Sequence, residues 1–183
     1  SNDYKSTPQT NINSSYYSQK SVDFNNIKID LHKSSFEIYN QIIPSRLATA
    51  DLTPITVEER KGWFEAFDEN HPIWVIEYQK EVLGWVALEH FYGRPAYDHT
   101  SEIAIYLDQR LRKQGVGTKT MEFIIGQLPK LTVDTIVAYI FGHNIPSLKL
   151  FKSFGFTQWG LLPQVAELDG IKRDLVILGR HFK

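Results

Sequence analysis

Between Ile105 and Thr118 the chain reads IYLDQRLRKQGVGT, so that a strand, a basic loop and a helix follow one another directly. The helix begins at Gly115 and Gly117, two glycines separated by one residue. Helix N-termini expose unpaired N–H groups and carry a partial positive charge, and glycine lets a backbone approach a ligand closely. The stretch therefore predicts an anion-binding loop, although an ordinary helix start on a basic surface also fits.

The side chains of this loop exclude two familiar phosphate-binding motifs. No Gly-Lys-Ser/Thr sequence follows, which excludes a Walker A loop. Position 120 is Thr rather than Gly, which excludes the Gly-x-Gly-x-x-Gly dinucleotide fingerprint. Arg110, Arg112 and Lys113 add positive charge beside the glycines, which favours an anionic ligand.

Strands and helices are predicted on both sides of the loop from alternation, capping boxes and turn residues. Ile27, Ile29 and Leu31 alternate with polar residues, as in a half-buried strand. The other predicted strands are 73–78, 82–91, 101–107, 135–141, 156–161 and 174–178. The predicted helices are 34–43, a second helix after Thr56, 115–128 and 146–154. Helices that interrupt a largely meandering sheet predict an α+β or mixed α/β fold.

Length and composition predict one globular domain preceded by an arm. The chain has 183 residues, of which 42% are apolar and 22% charged, as is usual for a soluble domain. Residues 1–26 are rich in Ser, Asn, Gln and Tyr and lack periodicity. We interpret them as a polar N-terminal arm, either a loose tail or a segment packed on its own body or a partner. Residues 27–183 are then a single domain.

Several function classes are excluded or disfavoured. The 20 Lys and Arg residues against 21 Asp and Glu residues give a net charge of −1, so no nucleic-acid partner is expected. No apolar run is long enough for a membrane span and no secretory signal is visible. The chain contains no cysteine, which excludes disulfides and thiolate chemistry. A cytoplasmic protein is expected.

Three ordered segments resemble one family. Arg112-x-x-Gly115-x-Gly117 resembles the pyrophosphate-binding motif of the GNAT N-acetyltransferases, and the segment from Asn144 to Phe156 resembles their second acyl-CoA motif. The segment from Gly93 to Tyr106 is similar to that of phosphinothricin and methionine sulfone or sulfoximine acetyltransferases. The resemblance runs from about residue 28 to residue 180.

The resemblance implies a mixed, mostly antiparallel sheet of about six or seven strands flanked by about four helices. It also implies that acetyl-CoA lies in a gap between two central strands. Asn144 has a second expected role, the N-cap of the following helix. Phe151 stands where many members of the family carry a tyrosine that protonates the departing thiolate. The implied cofactor-binding residues are Ile105, Tyr106, Leu107, Arg112, Lys113, Gln114, Gly115, Val116, Gly117, Thr118, Asn144, Ser147 and Phe151.

For the chemistry, the resemblance implies transfer of an acetyl group from acetyl-CoA to the primary amine of a small amino acid. Because no cysteine can carry the acetyl group, direct attack in a ternary complex is expected. Glu102 is the candidate general base, since alternation places it opposite the core-facing Ile103 and Ile105; an exposed strand glutamate is the alternative. The candidate substrate-binding residues are Arg94, Tyr97, Thr100 and Glu102, with the Arg94 guanidinium suited to a carboxylate or phosphinate.

Other interpretations of the function stay open. The amine could instead be a polyamine, an aminoglycoside or a protein N-terminus, or the chain could be a non-catalytic acyl-CoA-sensing module. Asp98, His99 and His90 do not have the spacing of a zinc site, so no metal is expected. The C-terminal strands resemble those that form a homodimer in the same subfamily, although Lys172 and Arg173 replace the usual tryptophan before Asp174.

Overall fold

The computed structural model describes residues 20–24, 27–33, 62, 65–111 and 113–183. These residues form one eight-stranded sheet and two α-helices whose full length is described. The strands are β1 (Lys20–Phe24), β2 (Ile27–Lys33), β3 (Ile73–Tyr78), β4 (Glu81–His90), β5 (Thr100–Leu107), β6 (Thr135–Phe141), β7 (Thr157–Leu168) and β8 (Ile171–His181). The helices are α1 (Val116–Gln127) and α2 (Ile145–Ser153).

The sheet is antiparallel except at one central pair. Its strand order is β1-β2-β3-β4-β5-β6-β8-β7, and only β5 and β6 are paired in parallel within this order. Parallel neighbours need a crossover connection, usually a helix, and α1 supplies it. The mixed, mostly antiparallel sheet confirms the predicted fold class. The count of eight exceeds the predicted six or seven because β1 lies in residues assigned to the polar arm, whose boundary stays a prediction.

Both helices pack on the same face of the sheet. The apolar side of α1 contributes Met121 and Ile124, and α2 contributes Phe151, all buried in one core cluster with Ile103 of β5 and Ile136 of β6. This face follows from alternation, because successive residues of a strand point to opposite sides. The opposite face holds a smaller cluster of Ile73, Trp85 and Ala87, against which Phe67, Ala104 and Tyr106 pack. Glu102 shares the alternation of Ala104 and Tyr106, so it belongs to this second face.

The last two strands are much longer than predicted. The sequence predicts 156–161 and 174–178, whereas β7 and β8 span twelve and eleven residues. They are joined by a two-residue turn at Asp169 and Gly170, both with positive φ, as in a type I′ hairpin. Register shifts between Leu162 and Ala166, where Gln164 has a φ of 51°. This irregularity breaks the alternation on which the prediction depended, and β7 tolerates Pro163 because it is an edge strand.

Other predicted elements agree with the structure to within about a residue or lie outside it. Strands 73–78 and 135–141 are confirmed at both ends, and the predicted hairpin of β3 and β4 is present. The predicted helices at 34–43 and after Thr56, and Arg112 of the loop, lie outside the described residues, apart from isolated positions 62 and 65. No helix within the described part of the chain is long and apolar enough to cross a membrane.

Candidate active site

The loop before α1 has the backbone of an anion cradle. Gly115 occupies the N-cap in the left-handed region, with φ 73° and ψ 12°, and no side chain in the described part of the chain caps the helix. Lys113 also has a positive φ, 60°. With no capping side chain, the first N–H groups of α1 stay available to a ligand. The side chain of Val116 is buried in the core and anchors this turn.

Gly117 belongs to the loop and also lies in the contact between α1 and α2. A Cβ atom at Gly117 would lie 3.0 Å from Leu150 Cδ2 on α2. The first turn of α1 therefore approaches α2 closely, and a larger residue would require the Leu150 side chain to shift. Thr118 is exposed on the same turn.

Arg110 is directed to neighbouring carboxylates. Its guanidinium donates to both carboxylate oxygens of Glu81 at 3.1 Å and to Asp108 at 3.0 Å. These hydrogen bonds, to Asp108 first and then to Glu81, raise the pKa of Arg110 above its ordinary value. The Gln114 side chain donates to the Arg110 carbonyl at 2.7 Å. Arg110 thus ties the loop to the β3–β4 hairpin, with part of its charge already neutralised.

A gap opens between β5 and β6 above their three paired positions. The pairs are Thr100 with Thr135, Ser101 with Ile136 and Glu102 with Val137, and the pairing of the two strands ends there. Further along, Ile105, Tyr106 and Leu107 remain paired to β4. Their backbone groups on the β6 side therefore face the gap, beside the α1 loop. An extended ligand arm lying in this gap would find main-chain donors and acceptors along one wall.

Glu102 lies at the closed end of this gap. Its side chain is half-buried, and its antiparallel partner on β4 is Glu89. Burial first, and then the negative charge of Glu89, raise the pKa of Glu102 to about 7. A carboxyl group with this pKa can accept a proton near neutral pH, which suits a general base.

Two residues that the sequence analysis did not select surround Glu102. Glu89 lies directly across β4, and Tyr139 lies two residues beyond Val137 on β6, on the same face of the sheet. Burial raises the pKa of Tyr139, and the charges of Glu102 and Tyr92 raise it further. Alternation along each strand predicts which face Glu89 and Tyr139 belong to. Their proximity to Glu102 depends on the register between strands, which the sequence does not state.

The predicted substrate residues lie in the connection from β4 to β5. Arg94 and Tyr97 are exposed around a short 3₁₀ turn, Pro95–Tyr97. Tyr97 packs with Phe91 and Tyr92, with ring centroids 5.7 Å and 5.4 Å away. Thr100 begins β5, two residues before Glu102. An exposed arginine and an aromatic cluster thus precede the strand that carries the candidate base.

At the start of α2 the predicted cap is present. Asn144 Oδ1 accepts a hydrogen bond from the Ser147 backbone N–H at 3.3 Å, which confirms the N-cap role. Phe151 is 5% exposed and packs edge-on against Phe156, with ring centroids 5.1 Å apart. The structure thus places Phe151 in the core, and any contact of Asn144, Ser147 or Phe151 with acyl-CoA stays a prediction.

His90 and His99, which the sequence analysis considered together with Asp98, have different hydrogen-bonding partners in the structure. His90 lies with Asp68 and His71, and three possible ligand atoms of this cluster are within 4.8 Å of one another. The two rings are stacked with centroids 3.5 Å apart, and each directs a nitrogen to a different oxygen of Asp68, at 3.0 Å and 3.1 Å. His99 instead contacts the Thr132 carbonyl at 2.7 Å. Hydrogen bonds to Asp68 account for the cluster, which joins the segment before β3 to the end of β4.

Comparisons with known proteins agree with this geometry. The family model described as "Acetyltransferase (GNAT) family" matches residues 35–156. The chain is 47% identical over 145 residues to "Putative phosphinothricin acetyltransferase YwnH" of Bacillus subtilis, covering 79% of this chain and 89% of that protein. It is 27% identical over 143 residues to an L-methionine sulfoximine/L-methionine sulfone acetyltransferase of Pseudomonas paraeruginosa, covering 77% and 83%.

One solved structure of similar fold is also named an acetyltransferase. The phosphinothricin acetyltransferase of Sinorhizobium meliloti, crystallised in complex with acetyl-CoA, superposes with a TM-score of 0.70 at 25% identity and covers 84% of this chain and 88% of that one. The matched family model includes the α1 loop, the gap and Glu102. The chain therefore belongs to the acetyltransferase (GNAT) family.

Proposed function

We propose that the protein transfers the acetyl group of acetyl-CoA to the primary amine of a small amino acid of the phosphinothricin or methionine sulfone class. The names of the relatives support this substrate class. The single observation that carries the proposal is the meeting of the open β5–β6 gap, the uncapped α1 loop and Glu102 on neighbouring parts of two strands.

The gap and the loop fit the two parts of acetyl-CoA. The left-handed backbone at Gly115 and the free N–H groups of α1 suit a pyrophosphate. The unpaired side of Ile105, Tyr106 and Leu107 suits an amide-containing arm. When bound, acetyl-CoA supplies the activated acetyl group. Backbone donors held rigidly beside its carbonyl would stabilise the developing negative charge.

Glu102 removes the proton that blocks the attack. An α-ammonium group has a pKa of about 8, so most of the amine is protonated and unreactive at neutral pH. The Glu102 carboxylate accepts one proton from it, and the neutral nitrogen then attacks the thioester carbon directly. The new N–C bond forms as the C–S bond breaks, and the second amine proton neutralises the departing thiolate.

The test is release of CoA from acetyl-CoA, followed with a thiol reagent over a panel of amines. The chain has no cysteine, so it contributes no thiol signal. We expect fast release with phosphinothricin, methionine sulfone or methionine sulfoximine. Tight acetyl-CoA binding without release on any amine would contradict the proposal and favour an acyl-CoA-sensing module.

A second substrate class is favoured by one observation. Glu89 and Glu102 place two acidic groups side by side, which also suits a polycationic amine. The panel therefore includes polyamines and aminoglycosides. Arg94→Ala separates the two classes, because it would raise the KM of an amino acid and leave the KM of a polyamine unchanged or lower.

A further inference from the structure

Tyr139 stands on the β6 side of the open gap, on the face of the sheet that also carries Glu102. The parallel pairing of β5 and β6 ends at Glu102 and Val137, and Tyr139 is the second residue beyond Val137. Because successive residues of a strand alternate between the two faces, Tyr139 shares the face of Val137 and Glu102. By the same count, Tyr139 lies across the gap from Ala104 of β5.

The residue across the gap from Tyr139 is small. Ala104 is half-buried, and it lies on this face between Glu102 and Tyr106, which have much longer side chains. The ring of Tyr106 stacks with Trp85 of β4, with ring centroids 6.5 Å apart. Tyr106 is therefore packed on the β4 side of β5, away from the gap. Among the described residues, the side chains of Glu102, Tyr106 and Tyr139 thus border the space above Ala104.

The hydroxyl group of Tyr139 is available to a ligand. The side chain is half-buried, and its hydroxyl forms no hydrogen bond with the part of the chain that the structure describes. Burial, and then the charges of Glu102 and Tyr92, raise the pKa of Tyr139, so the phenol keeps its proton. A tyrosine hydroxyl can donate one hydrogen bond. Tyr139 therefore offers a neutral donor on the face that carries the candidate base.

The distance between the levels of Glu102 and Tyr139 suits one particular part of a substrate. Two residues along a strand span about 6.6 Å, so Tyr139 lies that far beyond the level of Glu102. In methionine sulfone, methionine sulfoximine and phosphinothricin, an oxygen is bound to the sulfur or phosphorus at the δ position. In an extended molecule this oxygen lies at a similar distance from the amine nitrogen, whereas the α-carboxylate lies much closer to it.

We propose that Tyr139 is a specificity-determining residue whose hydroxyl donates a hydrogen bond to the oxygen on the δ sulfur or phosphorus of the acceptor amino acid. The inference rests on the proposed function, in which Glu102 takes the proton of the substrate amine at the closed end of the gap. With its amine at Glu102, an extended substrate would place its δ oxygen at the level of Tyr139.

The length of the tyrosine side chain favours binding rather than proton transfer to the thioester. Side chains of a strand stand roughly perpendicular to the sheet, and a tyrosine is longer than a glutamate. The Tyr139 hydroxyl therefore stands farther from the plane of the sheet than the Glu102 carboxylate does. The thioester would lie within the gap, whereas the side chain of the acceptor would lie above it, at the height of the hydroxyl.

The first experiment compares kcat/KM for methionine sulfone and for methionine in the wild-type and Tyr139→Phe proteins. The two substrates differ only in the sulfone oxygens, and the variant loses the hydroxyl but keeps the ring. We expect the variant to lose about threefold to tenfold in kcat/KM with methionine sulfone, mainly through a higher KM, and to change little with methionine. The loss with phosphinothricin should be larger, since its oxygen carries negative charge.

Tyr78→Phe is the matched control, because it removes a hydroxyl from a half-buried tyrosine of β3 outside the candidate site. It should leave the preference for methionine sulfone over methionine unchanged. A variant that only loosens the fold would lower Tm and affect both substrates alike. An equal loss with both substrates in Tyr139→Phe, or no loss with either, would overturn the role of Tyr139 and leave the proposed acetyl transfer intact.

Binding measurements separate this inference from the proposed function. Protein saturated with CoA is titrated with methionine sulfone in a calorimeter, so that no acetyl transfer occurs. If no amine is acetylated but the wild-type protein binds methionine sulfone about threefold to tenfold more tightly than Tyr139→Phe does, the contact stands and the proposed function fails. If methionine sulfone is not bound, or is bound equally by the two proteins, the role of Tyr139 is refuted.

Discussion

Glu102 is the residue whose environment most directly gives a function. Replacing it with Gln keeps the size of the side chain and removes the proton acceptor. We expect Glu102→Gln to lower kcat by roughly 100-fold to 10,000-fold, the usual contribution of a general base. Wild-type activity should rise as pH increases through about 7, because the carboxylate is the active form, and this rise should be absent in the variant.

The measurements are the pH profile of CoA release and the dissociation constant of acetyl-CoA for both proteins. The dissociation constant should be unchanged, since Glu102 lies at the closed end of the gap rather than in the α1 loop. Equal turnover by the two proteins at every pH would contradict the assignment of Glu102 as base.

The raised pKa of Glu102 also lowers the stability of the folded protein as pH increases. Its pKa in the folded protein is about 7, against an ordinary value of 4.5. The folded state therefore binds more protons than the unfolded state between these values, and the free energy of unfolding falls as pH rises through that window. We expect Glu102→Gln to have a higher Tm than the wild type above pH 7 and the same Tm below pH 4.5. A lower Tm for the variant above pH 7 would show that the glutamate stabilises the fold.

At the scale of elements, the start of α1 depends on a left-handed residue. Gly115 has a φ of 73°, a conformation that costs another residue roughly 1–2 kcal/mol. We expect Gly115→Val to distort the loop and to raise the dissociation constant of acetyl-CoA at least tenfold in a calorimetric titration. The matched control is Gly126→Ala in the same helix, where a Cβ atom would meet nothing within 4 Å. This control should stabilise the protein by up to about 1 kcal/mol and leave binding unchanged.

Elements with regular local patterns were predictable, and pairings between distant strands were not. Strands 73–78 and 135–141 are short runs of apolar, β-branched and aromatic residues with clear breaks, and the Asn144 cap is a local motif. The long β7–β8 hairpin was underestimated because the irregularity at Gln164 and the proline at position 163 obscure its alternation. Glu102 could be selected from its segment, but Glu89 and Tyr139 could not, because their approach depends on register.

At the scale of the whole molecule, the β7–β8 hairpin leaves apolar side chains in contact with solvent. Its exposed residues include Trp159, Leu161, Leu162, Val165 and Ile171, which are 42% to 60% exposed. Exposed apolar patches of this kind commonly mark interaction sites. From this patch, together with the resemblance of the C-terminal strands, we propose that the protein forms a homodimer through these strands.

The test is the molar mass in solution, measured by light scattering after gel filtration. We expect a dimer for the wild type and a monomer for Leu161→Arg combined with Val165→Glu. Lys130→Glu, in the 3₁₀ turn after α1, is the control for a change of surface charge and should remain dimeric. A monomeric wild-type protein at every concentration would exclude this role for the hairpin.

The gap between β5 and β6 has a further consequence for the protein without its ligand. Beyond Glu102, one side of β5 has no strand neighbour among the residues that the structure describes, although β5 lies in the middle of the sheet. The molecule thus carries an interior strand edge, with the open main-chain groups that normally invite β-addition. Amides on the gap side of residues 103–107 should exchange hydrogen faster than alternate amides bonded to β4, until acetyl-CoA fills the gap as a substitute strand. Bound acetyl-CoA would then complete the sheet. It would protect the protein from self-association in addition to serving as the acetyl donor.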